Sequence, residues 1–283
     1  MVRSRHETER GDVKLGEILE EIGAVPTRGS LDVEVTGLQY DSRRVRPGDL
    51  FFGLPGLKQD GQAFVRDALR AGAVAAVVGG EVEIPGAPLV RVEDPRRALA
   101  LASAAFFGHP SRALRLVGVT GTNGKTTTTY MMESIFRAAG VPAGVIGTTG
   151  YRLGEETRPA PFTTPEAPEL QRLLREMVER GIRGAAIELS SHALVQRRCD
   201  AVECDVAVFT NLSREHLDYH GTLDEYLDAK LMLFDGRIRV EPSKPTRAVI
   251  NLDDPHAERV IEAAPNVVRR MPPRRAASIT RSA

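Results

Sequence analysis

The chain has no surplus of charge of either sign: its 283 residues carry 38 basic and 38 acidic side chains. General binders of nucleic acid or acidic membrane need an excess of Lys and Arg to meet phosphates, so this balance argues against both partners. Long apolar runs are missing too. The longest, Ala71 to Val78 and Leu99 to Phe107, fall well short of the roughly 20 residues that a spanning helix needs. The opening stretch "MVRSRHETERGDV" has no apolar core of the kind a secretory leader requires. Cysteine is scarce. Cys199 and Cys204 have no second pair to complete a zinc site, and they read as reduced thiols of a cytoplasmic protein.

What is present is a rhythm of strands and helices. In the first block "KLGEILEEIG" predicts a helix and "VEVTGLQYD" extended chain. "GDLFFGL", "VAAVV" and "LVRV" predict strands, with helices over "GQAFVRDALRAGA" and "PRRALALASAAFFG". "HPSR", His109 to Arg112, reads as a boundary. Apolar strands then alternate with amphipathic helices: "LRLVGVT", the helix Thr126 to Ala139, "AGVIGTT", the helix Glu166 to Arg180, "GAAIELS", "DVAVFTNL", the helix Thr222 to Asp235 and "RAVINLD". That alternation predicts an α/β fold with a doubly wound, mostly parallel sheet. The last stretch, Arg269 to Ala283, carries five arginines and no acid, and reads as a disordered tail.

"GVTGTNGKTTTTY" runs from an apolar strand into a helix, the setting a phosphate-gripping loop requires. Backbone N–H groups from Gly121 through Thr122 and Asn123 to Gly124 are expected to face phosphate oxygens, Lys125 to reach the outer phosphates and Thr126 to meet magnesium. The glycine spacing departs by one residue, because Gly118 precedes the strict first-glycine position, held by Val119. Further polar groups fall at strand ends, where open α/β sheets bind ligands. These are Glu188, then Ser190, Ser191, His192, Gln196 and Arg198, then Asn211, His216 and His220, with Thr163 and Thr164 ahead of a helix. Singly each has a bland explanation, as a helix cap, a strand-end acid or a structural histidine. Lys230 lies on the apolar stripe of Leu223, Leu227, Leu231 and Phe234. It is either a snorkelling lysine or an amine of lowered pKa able to take up CO2 as a carbamate.

The segments "GTNGKTT", "TTPEAPELQ", "ELSSHALVQRR", "TNLSREHLDYHG" and "EYLDAKLMLF" occur in an order and spacing that resembles the Mur ligase family, in its MurE type. "YDSRRVRPGDLFFGLPGLKQDGQAF" is similar to that family's UDP-binding domain. The resemblance implies a UDP-substrate-binding domain over 12–108 and an ATP-binding P-loop domain over 112–268. It implies an ATP-dependent ligase that adds the third amino acid, diaminopimelate or lysine, to UDP-N-acetylmuramoyl-L-alanyl-D-glutamate through an acyl phosphate, in a cytoplasmic, monomeric protein. By the same resemblance Gly121 to Thr127 and Asn251 bind ATP. Thr126 and Glu188 hold one Mg2+, and carbamylated Lys230 with His216 serves a second. Ser42 touches uridine, and Thr163, Thr164, Ser190, Gln196 and Arg198 hold the muramoyl-dipeptide. Two departures stand out. Leu57 occupies a position where some members have histidine, and no sequence like the family's C-terminal Rossmann-like domain, with its Asp-Asn-Pro-Arg motif, follows Asp254. These residues by themselves are therefore expected to bind nucleotide and UDP-substrate while ligating poorly or not at all. The rival expectations are a non-catalytic remnant that binds ATP or a UDP-sugar, a folylpolyglutamate-type ligase, and a generic P-loop ATPase or kinase.

Overall fold

A computed structural model describes residues 13–56, 60–80, 82–238 and 243–264. Leu57, residues 265–268 and the arginine-rich stretch 269–283 lie outside the described residues. The chain opens with β1 (Val13–Lys14), α1 (Leu15–Glu21) and β2 (Glu34–Val35), the two short strands pairing antiparallel. Next come β3 (Gly37–Gln39), β4 (Asp49–Gly53), α2 (Val65–Arg70), β5 (Ala75–Gly79), β6 (Leu89–Val92) and α3 (Pro95–Phe106). β3 to β6 form a parallel sheet in chain order. Its strands are apolar on both faces: Leu50 and Phe52 pack into one cluster with α1 and α3, whereas Phe51 joins Val65 and Ala68 on the other side. α3 begins cleanly because Asp94 accepts the N–H groups of Arg96 and Arg97 and Pro95 needs no partner in the first turn.

After a 3-10 turn at Pro110–Ala113 the second sheet is assembled. Its elements are β7 (Arg115–Thr120), α4 (Lys125–Ala138), β8 (Ala143–Gly147), β9 (Gly150–Leu153), β10 (Glu156–Arg158), α5 (Ala167–Glu179), β11 (Gly184–Glu188), α6 (Ser191–Val195), β12 (Val206–Phe209), α7 (Leu217–His220), α8 (Leu223–Leu231), β13 (Arg247–Ile250) and α9 (Ala257–Ala263). The order is β10-β9-β8-β11-β7-β12-β13, with the five strands β8, β11, β7, β12 and β13 parallel. Leu116 faces the large core that includes Leu170, Leu173, Leu174 and Met177 of α5, while Val117 and Val119 face the opposite side, against Met132 and Phe136 of α4. A sheet covered on both faces is the expected doubly wound arrangement.

The structure adds an antiparallel hairpin, β9–β10, on the edge, which the strand–helix rhythm passes over. The last predicted helix is shorter than expected: α8 ends at Leu231, and Met232 to Asp235 continue as turns. The two sheets meet through α3 and α5. Arg97 of α3 pairs with the fully buried Asp200 at 2.8 Å, and Tyr40, just past β3, donates its hydroxyl to Glu169 of α5 at 3.1 Å. Among the described residues no helix is long and apolar enough to cross a membrane.

Candidate active site

The carboxyl ends of β7, β8, β11 and β12 open into a cleft of about 520 Å³. The phosphate loop forms its floor. Thr122 to Thr126 line it, joined by Thr163 and Thr164 ahead of α5, Glu188 at the end of β11, Ser190, His192, Gln196 and Arg198 around α6, and His216 ahead of α7. Thr148 and Phe162, which the sequence pattern does not single out, complete the wall. Twelve of the residues expected to hold nucleotide, substrate or metal thus share one rim.

The loop owes its shape to its neighbour strand. Gly121 has φ +144°, and a Cβ there would lie 1.9 Å from the Thr210 hydroxyl, so the position accepts glycine alone. Thr122 N–H donates to the Asn211 carbonyl at 2.8 Å, Asn123 N–H to the Asn211 side-chain oxygen at 2.9 Å, and the Asn211 amide returns a bond to the Asn123 carbonyl at 3.1 Å. This corrects two expectations. The N–H groups of Thr122 and Asn123 are occupied, and Asn211 braces the loop rather than offering itself to a ligand. The free donors begin at Gly124, whose φ of +85° turns the chain into α4, and continue through the first turn of that helix. Lys125 folds back onto the carbonyls of Gly121 and Thr122, at 2.9 and 2.8 Å. Its pKa is lowered by burial, against the pull of Glu188 and Glu215.

Glu188 is buried with its carboxylate fixed: Thr148 donates its N–H to one oxygen at 3.0 Å and its hydroxyl to the other at 3.1 Å. Gly147 leaves the room, since a Cβ there would lie 2.2 Å from that carboxylate. A polar residue at the end of the adjacent strand β8 is the signal that would have found Thr148. Farther along the rim, the Thr164 hydroxyl donates to the Glu188 carbonyl at 2.7 Å and accepts the Ser190 N–H at 3.1 Å. Arg198 donates to the Thr164 carbonyl and the Gln196 side chain, and pairs with Glu166 at 3.0 Å. Burial raises the Glu166 pKa, opposed by Arg198 and Arg96.

Lys230 is buried on α8, 1% exposed. Its amine lies 4.1 Å from the centre of the Tyr226 ring and has no hydrogen bond or ion pair among the described residues. Burial, reinforced by the Lys125 cation and opposed by Glu215, brings its pKa down to about 7. The bland alternative, a lysine whose head snorkels to water, does not describe this side chain. Beside it the rings of His192, His216, Tyr219, His220 and Tyr226 pack edge to face or tilted, within 4.2 to 6.0 Å of one another. His216 is held at φ +55°, a left-handed conformation uncommon for histidine. His220 hydrogen-bonds Ser191 at 2.9 Å, and its pKa falls to about 4 through burial and the neighbouring His192 and Lys230.

Besides Gly121 and Lys230, three expected residues stand apart from the cleft wall. Ser42 starts a 3-10 turn at Ser42–Arg44 near the Tyr40–Glu169 contact. Asn251 spends its amide on the Thr210 carbonyl at 2.9 Å, and Thr127 is exposed on the first turn of α4. Among the described residues no three His, Cys, Asp or Glu side chains are grouped so as to hold a metal ion unaided.

Known proteins resemble this chain in sequence and in fold. Residues 119–271 match the Mur ligase middle domain, and residues 34–107 match the Mur ligase family, catalytic domain. A UDP-N-acetylmuramoyl-L-alanyl-D-glutamate--2,6-diaminopimelate ligase of Geobacter metallireducens is 46% identical over 254 residues, covering 89% of this chain and 50% of the relative. A UDP-N-acetylmuramyl-tripeptide synthetase of Roseiflexus sp. is 42% identical over 273 residues, 92% of this chain and 53% of the relative. A solved structure of a UDP-N-acetylmuramoyl-L-alanyl-D-glutamate--2,6-diaminopimelate ligase superposes with a TM-score of 0.74 at 32% identity, over 91% of this chain and 50% of that one. The chain spans about half the length of the curated relatives it matches. With the phosphate loop and the strand-end carboxylate on one rim, and the middle-domain match running through both and through the buried Lys230, this chain belongs to the Mur ligase family.

Proposed function

We propose that this chain carries the nucleotide and UDP-substrate sites of an ATP-dependent ligase. That ligase adds the third amino acid, diaminopimelate or lysine, to UDP-N-acetylmuramoyl-L-alanyl-D-glutamate in peptidoglycan precursor synthesis. The observation that carries the reading is the position of Lys230. Among the described residues it is a buried amine with no hydrogen bond or ion pair, close enough to Lys125 of the phosphate loop to feel that charge, and Glu188 lines the same cleft as the loop.

The donor set suits magnesium. Mg2+ prefers oxygen ligands, keeps several waters and uses one or two carboxylates beside substrate phosphates, so it needs no preassembled cage. Thr126 and Glu188 would hold one ion, and Lys230 as its carbamate, with His216, would hold the second. When bound, the two ions supply positive charge to the phosphates and to the carboxylate being activated. An amine with a pKa brought down to about 7 is largely unprotonated just above neutrality, the form that adds to CO2.

The residues of the chain do the rest. Free N–H groups at the start of α4 and Lys125 grip the phosphates of ATP. Thr163, Thr164, Ser190, Gln196 and Arg198 hold the muramoyl-dipeptide so that its D-glutamate side-chain carboxylate faces the terminal phosphate, with Arg198 offsetting negative charge. Transfer of the phosphoryl group makes an acyl phosphate, and the incoming amine then displaces phosphate to form the amide. Alignment and charge neutralisation supply the catalysis, since phosphoryl transfer asks little covalent help of the protein. The reading expects a monomer acting in the cytoplasm, with Ser42 on the uridine and Asn251 on the nucleotide.

Equilibrium titration of the purified chain tests it. ATP and the UDP-muramoyl-dipeptide should each bind, with ATP binding lost in Lys125→Ala and UDP-substrate binding lost in Arg198→Ala. Nucleotide binding without UDP-substrate binding would instead support a general nucleotide hydrolase. A native mass spectrum should show one added carboxyl group that is absent from Lys230→Met.

A further inference from the structure

Tyr226 touches both halves of this apparatus. It lies one helical turn before Lys230 on α8, so its ring sits under the amine, 4.1 Å from ring centre to Nζ. Its hydroxyl points the other way. Ser213 N–H donates to the Thr122 hydroxyl at 2.9 Å, and that hydroxyl donates to the Tyr226 oxygen at 3.3 Å. The ring is wedged in place, with the His220 ring tilted against it at 4.9 Å and the His216 ring edge-on at 6.0 Å. Tyr226 itself is 1% exposed.

We propose that Tyr226 is a positioning residue with two ends: its ring face seats the uncarboxylated Lys230 head, and its hydroxyl anchors Thr122 of the phosphate loop. This rests on the reading of Lys230 given above. An aromatic face is electrically negative, so it attracts the N–H hydrogens of the amine, neutral or charged, and repels an anion. Carboxylation forms a bond between the unprotonated Nζ and the carbon of CO2. One carbon–oxygen electron pair moves onto oxygen, and the nitrogen releases a proton to solvent. The resulting anion has no seat on the ring and would turn away from it. The side chain that holds the resting amine is thus the one that fixes the loop, and the two sites are mechanically joined through α8.

The test uses the full chain, ADP without metal, and 13C-bicarbonate without nucleotide. Tyr226→Phe keeps the ring and deletes the hydroxyl, and should weaken ADP binding about three- to tenfold, the loss of one hydrogen bond, while leaving the Lys230 carbamate signal in the 13C spectrum intact. In the wild type carrying labelled tyrosine, the Tyr226 ring resonances, identified by their loss in Tyr226→Phe, should shift as the carbamate signal grows. They should stay still in Lys230→Met. A carbamate that forms without moving those resonances overturns the seat, and Tyr226→Phe binding ADP as tightly as wild type overturns the anchor. A wild type with no Lys230-dependent carbamate overturns the underlying reading of Lys230, and the seat with it.

Discussion

The two sheets are built from the same kind of residues, yet among the described residues the cleft lined with the expected site residues lies at the second. In β3 to β6 each strand is laid beside its predecessor, so all connections run in one direction and successive connections do not diverge. In the second sheet the connection after β7 runs to β8 on one side, whereas that after β12 runs to β13 on the other. Loops leaving neighbouring strands diverge there and leave a crevice. The phosphate loop fills it from β7, and Asn211 closes on it from β12. Strand order, more than strand composition, decides where a ligand can sit.

The sharpest way to break this comparison is to damage the first sheet and look for an effect on the second. Phe52→Ala removes a fully buried ring from β4 and should cost about 3–5 kcal/mol of stability in urea denaturation. Nucleotide affinity of the folded protein should be unchanged; a large loss of affinity would mean that the sheets do not divide packing from chemistry. Gly121→Ala should do the reverse. The new methyl group meets the Thr210 hydroxyl and the loop must shift, so titration should show ATP affinity falling about a hundredfold, with a smaller loss of stability of about 1–3 kcal/mol from the strained backbone.

The junction offers a smaller effect. Arg97→Ala withdraws one of the two arginines beside buried Asp200 and should cost about 1–3 kcal/mol, seen as a thermal transition that broadens or splits as the sheets lose their tie. The smallest effect is a pH slope. His220 is held neutral in the fold, with its pKa near 4, and the unfolded chain takes up a proton near the ordinary histidine value of 6.5. Its neutral form is therefore fully compatible with folding above about 6.5, and stability is lost as pH falls from there toward 4. His220→Asn, which can still bond Ser191, should flatten that part of the stability curve.

Much of this could be read from the residues. Apolar runs such as "LRLVGVT" and "GAAIE" become β7 and β11 because strands buried on both faces need no alternation, and α5 shows its core face through Leu170, Leu173, Leu174 and Met177. The hairpin β9–β10 was not legible: its strands are four and three residues long and follow β8 after a tight turn. Within the cleft, residue types that repeat a local pattern were visible, Lys125 and Glu188 among them. What stayed hidden were partnerships across the chain. Asn211 lies 88 residues from Asn123 and Tyr226 lies 104 from Thr122, and no local spacing encodes such contacts.

The brace from Asn211 also has a consequence for the order in which the molecule comes into being. A loop held by a strand 88 residues farther on has no settled form while that strand is still being synthesised. If the loop grips nucleotide as proposed, it would find no hold on a half-made sheet, and ATP would stabilise only chains in which β12 has already docked. On the proposed reading, ATP in the cell would then favour completed assembly and leave early intermediates untouched.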